Sequence, residues 1–116
     1  MLEEIDLSIV IVTWNSCDEI NDCLESIIKN INDLKYEIIV VDNNSSDGTL
    51  EKLRIFREKN SDILKIIINK ENSGYTKACN TGINSSSGRN ILLLNPDTKI
   101  IGSALKDLLT KLNSNS

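Results

Sequence analysis

The chain contains no histidine. That absence removes Ser-His-Asp and Cys-His catalysis from what the chain can do alone, and it removes histidine-ligated zinc. Any metal bound here is expected to be a hard cation held through oxygen. Long apolar runs are missing too, for nothing approaches the roughly 20 residues that span a bilayer. The opening Met1-Leu2-Glu3-Glu4 is acidic and lacks the basic stretch of a secretory signal. A cytoplasmic location is therefore expected, with any membrane association arising through partners or through segments elsewhere. Positive charge is scarce: 13 Lys and Arg against 17 Asp and Glu leave a net charge of −4. That argues against nucleic-acid and membrane-surface partners, which need a basic patch. It also means that an anionic ligand would need backbone amides or a metal ion.

Other signatures are missing. Cys17, Cys23 and Cys79 are odd in number and share no C-x-x-C spacing, so they read as reduced thiols. Cys23 and Cys79 fall on apolar helix faces, where packing explains them. Cys17 stands near a helix start, which favours a thiolate, but no histidine is present to activate it. No G-x-G-x-x-G follows the first apolar run, where Thr13-Trp14-Asn15-Ser16 stand instead, and no G-x-x-x-x-G-K-[ST] occurs anywhere. No adjacent acidic pair ends that run, which weakens a phospho-acceptor receiver.

What is present is an ordinary globular balance, 40% hydrophobic and 26% charged over 116 residues, enough for one modest domain. Leu7 to Thr13 is β-branched and nearly continuously apolar, as in a strand buried on both faces. Ser16 and Glu19 match the S-x-x-E capping box. Behind them Ile20, Cys23, Leu24, Ile27, Ile28 and Ile31 form one stripe on a helix of about four turns. Glu37 to Asp42 is a second strand. The polar cluster Asn43 to Gly48 leads to a helix over Thr49 to Glu58, capped by Ser46 or Asp47. Leu64 to Asn69 is a third strand. Tyr75, Ala78, Cys79, Gly82 and Ile83 mark a third helix, ended by Ser85 to Gly88. Ile91 to Asn95 is a fourth strand, and Leu105, Leu108, Leu109 and Leu112 mark a last helix, with a frayed tail from Asn113 to Ser116.

This β-α-β-α-β-α-β-α order predicts an α/β domain: a doubly wound, mainly parallel sheet with helices on both faces. With right-handed crossovers the expected strand order is 3-2-1-4. The fourth strand is then an exposed edge, which suggests the front half of a longer protein or a natural truncation. Ligands of such sheets bind at the carboxyl edge, at the switch point. That places the site beside Thr13 and Asp97, with Asp42 one strand away.

Two apolar runs end in carboxylates there, Glu37-Ile-Ile-Val-Val-Asp42 and Asn90-Ile-Leu-Leu-Leu-Asn-Pro-Asp97. Asp42 either accepts from a ribose or base or begins a turn and caps the next helix. Gly74, at a helix start, permits close approach of backbone to a ligand. Asn80 is a poor mid-helix residue. Asp97 either binds Mg²⁺ or Mn²⁺, which would clamp a diphosphate, or closes a plain Pro-Asp turn. Trp14 either lies against a base or covers the helix below, and Lys77 either meets a phosphate or faces solvent.

Together Ser8-Ile-Val-Ile-Val-Thr-Trp-Asn15, Ile39-Val-Val-Asp-Asn-Asn-Ser-Ser-Asp-Gly-Thr49, Asn72-Ser-Gly-Tyr-Thr-Lys-Ala-Cys-Asn-Thr-Gly82 and Leu92-Leu-Leu-Asn-Pro-Asp-Thr98 strongly resemble the family 2 glycosyltransferases. The Asn-Pro-Asp variant is most similar to the bacterial rhamnosyltransferase-like branch. The resemblance covers residues 7 to 112. It implies a GT-A fold, residues 1–116 being its N-terminal nucleotide-sugar-binding part, and a divalent cation, Mg²⁺ or Mn²⁺. It implies a UDP- or dTDP-linked sugar as donor and a saccharide or lipid-linked acceptor, in the building of bacterial surface polysaccharides. By position, Thr13, Trp14 and Asn15 would line the nucleotide pocket, and Asp42 would contact base or ribose with Asn44 and Ser46 nearby. Asn72, Gly74 and Asn80 would shape the donor site. Asp97 corresponds to the last acid of the family's D-x-D metal motif, with Asn95 in place of the first. The family's general base for inverting transfer lies in a second half. The expected function is donor binding for inverting sugar transfer. The alternative is a nucleotide-sugar-binding module without catalysis, completed by a partner or a missing half.

Overall fold

The computed structural model describes residues 4–114. Eight elements alternate: β1 (Ile5–Thr13), α1 (Ile20–Asn30), β2 (Tyr36–Asp42), α2 (Thr49–Lys59), β3 (Leu64–Ile68), α3 (Tyr75–Asn84), β4 (Gly88–Leu94) and α4 (Ala104–Ser114). The four strands form one parallel sheet in the order β3-β2-β1-β4, as the sequence predicts. No helix among the described residues is long and apolar enough to cross a membrane.

Side-chain alternation divides the sheet into two faces. Ile9, Ile11, Ile38 and Val40 point to a core shared with Ile20, Leu24 and Ile27 of α1, Leu53 of α2, and Leu105 and Leu109 of α4. Val10, Ile39 and Val41 point the other way, to a smaller core under Ala78 of α3. The return of the chain from β3 to β4 carries α3 across the second face, where it packs on β1 and β2. Gly82 makes that approach close, because a Cβ there would overlap the Val10 side chain. Gly82→Ala is therefore expected to cost about 1–3 kcal/mol by overpacking, although alanine is the better helix former by ~1 kcal/mol. Urea unfolding measures it, and a more stable variant would contradict this packing.

Several local expectations need correction. The S-x-x-E capping box does not form: α1 begins only at Ile20, and no side chain caps it. Ser16 Oγ accepts from the Trp14 amide instead, and the Ser16 amide donates to Thr49 Oγ1 across the edge at 2.9 Å. Helix α1 is accordingly three turns rather than four. Asp47, not Ser46, receives the first amide of α2, through Oδ1 and Thr49 N–H. Strand β4 starts at Gly88, three residues early, because it pairs with Ile5 of β1 there. It is also not buried on both faces. Ile91 and Leu93 are 43% and 45% exposed, since α3 covers only the two central strands. Asn113 and Ser114 continue α4 rather than fray. Residues 1–3 and 115–116 lie outside the described residues.

At the amino edge of the sheet one buried carboxylate ties four segments together. Glu37 Oε2 accepts from Ser8 Oγ at 2.6 Å and from the Ser87 amide at 2.7 Å, while Ser8 Oγ accepts from the Gly88 amide at 2.7 Å. Oε1 meets the Lys65 ammonium at 3.0 Å. Burial pushes the Glu37 carboxyl up, but the bonds from Ser8, Ser87 and Lys65 outweigh it and hold the group below its ordinary range. Its contribution to stability is then complete above the unfolded value near ~4.3 and is lost as pH falls through the folded value. Glu37→Gln should cost about 1–3 kcal/mol at neutral pH and flatten the acid limb of stability. Unfolding at pH 7 and pH 3 reads both effects, and an unchanged acid limb would contradict them.

Candidate functional site

Four loops meet at the carboxyl edge, after β1, β2, β3 and β4. The first two are stitched into one body. The Asn15 amide donates to Ser45 Oγ at 2.9 Å, and Asn15 Oδ1 accepts from the Ser46 amide at 2.8 Å. Asn15 and Asn44 hold positive φ, 50° and 65°, which asparagine tolerates better than most residues. The Cys17 amide donates to Asp47 Oδ2 at 3.2 Å, and Lys52 Nζ donates to the Cys17 carbonyl at 2.6 Å. Slight desolvation pushes the exposed Asp47 carboxyl up, but the Thr49 hydroxyl and amide and the Cys17 amide outweigh it and hold the group below its ordinary range.

Below these loops Asp42 is fully buried. Its Oδ1 accepts from Thr13 Oγ1 and Ser45 Oγ, each at 2.7 Å, and its Oδ2 accepts from the Ser45 amide at 2.9 Å. Thr13 is buried with it. Both follow Ile9, Ile11, Ile38 and Val40 in alternation, so they point to the face covered by α1 and α2. Asn43 points to the opposite face. Its Oδ1 accepts from Asn69 Nδ2 at 3.0 Å and the Ser73 amide at 3.1 Å, and its Nδ2 donates to the Gly74 carbonyl at 3.1 Å. Asn43 thus shapes the loop before α3. In that loop the Gly74 amide donates to Asn72 Oδ1 at 2.9 Å, and Gly74 has φ 87°, a glycine conformation.

The fourth loop is a turn. The Thr98 amide donates to the Asn95 carbonyl at 3.0 Å, with Pro96 at the second position, where its fixed φ suits a turn. Asp97 is exposed at the tip. No hydrogen bond or ion pair from the described residues engages its carboxylate.

An open cleft of about 450 Å³ lies among these loops, lined by Val12, Trp14, Ser16, Glu19, Asn43, Asn72, Tyr75, Asn95, Pro96 and Asp97. Of the residues picked from sequence, it joins Trp14, Asn72, Asn95 and Asp97. Thr13 and Asp42 are buried and do not line it, while Asn15, Ser46 and Gly74 hold the loops around it. Asn44 and Asn80 are exposed outside its lining. The sequence reading missed Asn43, Tyr75 and Glu19. Parity along β2 could have revealed Asn43, since it follows Ile39 and Val41. Glu19 fits the capping box locally, and because that cap does not form it puts a second carboxylate on the cleft wall. Among the described residues no three acidic, cysteine or histidine groups cluster. One or two carboxylates with substrate phosphates is nonetheless how Mg²⁺ is ordinarily held. Asp97 and Glu19 line the same cleft, and carboxylate oxygens are the donor chemistry that a hard cation takes.

The description "Glycosyl transferase family 2" matches residues 8–116. The chain belongs to glycosyltransferase family 2. Among its relatives is "Glycosyltransferase AglE" of Haloferax volcanii, 39% identical over 92 residues, which are 78% of this chain and 30% of that protein. This family 2 chain also superposes on S. aureus TarS 1-349 in complex with UDP-GlcNAc, with TM-score 0.84 and 28% identity over 95% of this chain and 32% of TarS 1-349. A mannosyltransferase from Pyrobaculum calidifontis in complex with GDP-Man and Mn²⁺ gives TM-score 0.79 at 25% identity, covering 89% of this chain and 31% of the other. The chain thus spans about a third of the length of these relatives, and its sheet is that of GT-A glycosyltransferases.

Proposed function

We propose that the chain is the donor-binding part of an inverting glycosyltransferase that takes a nucleotide-diphosphate sugar, UDP- or dTDP-linked, and passes a hexosyl or rhamnosyl group to a saccharide or lipid-linked acceptor. The observation that carries this reading is the cleft at the carboxyl edge, which brings Trp14, Asn43, Asn72 and Asp97 together in a family 2 sheet. Trp14, 57% exposed, offers an aromatic face to a base. Asn72, exposed on the cleft wall, offers its amide NH₂ to ribose hydroxyls or base edges, while Asn43, buried and hydrogen-bonded through both amide atoms, holds the loop behind it. Asp97, with Glu19 on the same cleft, would hold Mg²⁺ or Mn²⁺, which would supply charge stabilisation for the departing diphosphate. The net negative charge of the chain makes such a cation the natural bridge to an anionic donor. The Asn95-Pro96-Asp97 variant supports the rhamnosyltransferase-like branch.

Trp14 is the single tryptophan, so its fluorescence reports the cleft alone. Titration with UDP and Mg²⁺ should change that signal saturably. Calorimetric binding of UDP with no response from Trp14 would place the nucleotide elsewhere and overturn the reading.

A second reading is that this cleft belongs to a nucleotide-sugar-binding module without catalysis of its own, its acceptor side and general base coming from another segment or a partner. An inverting transfer needs that base to deprotonate the acceptor hydroxyl. Turnover of UDP-GlcNAc by this chain alone, with an acceptor mixture, would refute the module reading.

A further inference from the structure

The segment that carries Asp97 is fastened to α1 at both ends. Next to the turn, the Cys23 thiol donates to the Asn95 carbonyl at 3.8 Å. At the far end, the Ile100 amide donates to Ser26 Oγ at 2.9 Å, and Asn30 Nδ2 donates to the Ile100 carbonyl at 2.8 Å. Ser26 Oγ in turn donates to the Cys23 carbonyl at 2.7 Å, and Asn30 Nδ2 also donates to the Ser26 carbonyl at 2.9 Å. The Ile100 side chain is buried in the main core.

Cys23, Ser26 and Asn30 stand at i, i+3 and i+7, one face of a helix. This is a polar ladder running beside the apolar stripe of α1. A chain crossing a helix surface outside any strand must find partners for its buried amides and carbonyls, and the ladder supplies them one residue at a time. Between its two anchors only Pro96, Asp97, Thr98 and Lys99 are left to span, and Pro96 and the Asn95–Thr98 turn bond restrict those.

We propose that Cys23, Ser26 and Asn30 are positioning residues for Asp97, fixing the Asn95–Ile100 segment so that the carboxylate stands in the cleft that Glu19 also lines. Glu19 directly precedes the first residue of α1, so this helix and its N-cap residue carry the points from which both carboxylates are set. The inference rests on the cation-binding role proposed for Asp97. Partners that orient a metal ligand commonly matter 10–100-fold in metal affinity.

The test measures Mn²⁺ affinity by electron paramagnetic resonance at saturating UDP, and UDP affinity without metal by calorimetry. Ser26→Ala combined with Asn30→Ala is expected to weaken Mn²⁺ about 10- to 100-fold while metal-free UDP affinity holds. Ser26→Thr, which keeps the hydroxyl, should retain the wild-type Mn²⁺ affinity. Ser8→Ala, in the Glu37 network at the opposite edge, provides a destabilised control expected to keep that affinity. Wild-type Mn²⁺ affinity in the ladder variant, with loss in Asp97→Ala, would overturn the ladder and leave the role of Asp97 standing. Retention of Mn²⁺ by Asp97→Ala would overturn both. An equal loss in Ser8→Ala, or a parallel fall in metal-free UDP affinity, would show general softening and overturn the ladder.

Discussion

Replacing Asp97 with alanine is expected to abolish the metal-dependent part of nucleotide binding while leaving the fold intact. Its carboxylate is exposed at the tip of a turn, and no hydrogen bond or ion pair from the described residues engages it. Its removal therefore leaves no donor unpaired, and stability should move by less than about 0.5 kcal/mol. A direct ligand should matter more than the partners that orient it, so the loss in Mn²⁺-dependent UDP affinity should be on the order of 100-fold or more. Asp97→Asn, which keeps an oxygen but not the charge, should fall between the two. Calorimetry on wild type and both variants checks this, and wild-type binding in Asp97→Ala would remove Asp97 from the site.

Asp42→Ala is expected to do the reverse, with a large loss of stability and an indirect effect on ligand. The variant would strand the Thr13 hydroxyl, the Ser45 hydroxyl and the Ser45 amide below two loops. Leaving buried donors unsatisfied costs about 1–3 kcal/mol each, and partial relaxation makes about 3 kcal/mol a reasonable total. The first and second loops should loosen together, because Ser45 also receives the Asn15 amide. Asp42→Ala combined with Thr13→Val should recover part of the loss, since it removes one stranded donor. Urea unfolding of the single and double variants measures this. A stable Asp42→Ala chain with selectively lost UDP affinity would instead mean direct contact with the nucleotide.

The contrast between these aspartates shows what the sequence makes legible. Both end apolar runs, and composition alone treats them alike. Element alternation and handedness narrowed the sheet to a few doubly wound orders, and 3-2-1-4, the one expected, is the one observed. The site's edge followed from the switch-point rule. What did not follow depended on contacts distant in sequence. Ser16 fits a capping box locally, but Thr49, 33 residues on, takes its amide. Gly88 looks like a helix stop until its pairing with Ile5 and its bond to Ser8 draw it into β4. Ser26 and Asn30 look like the solvent side of α1, and only the return of the chain at Ile100 gives them partners. The facing of Asp42 and Asn43 was readable from period-two alternation, which places Asp42 with Val40 and Asn43 with Val41.

The most direct test of the account is calorimetric titration of the chain with UDP and with dTDP, each with and without Mn²⁺. The account predicts saturable binding of at least one of them, strengthened by Mn²⁺. Absence of binding to both, or binding that Mn²⁺ leaves unchanged, would contradict a cation-bridged donor site at the carboxyl edge.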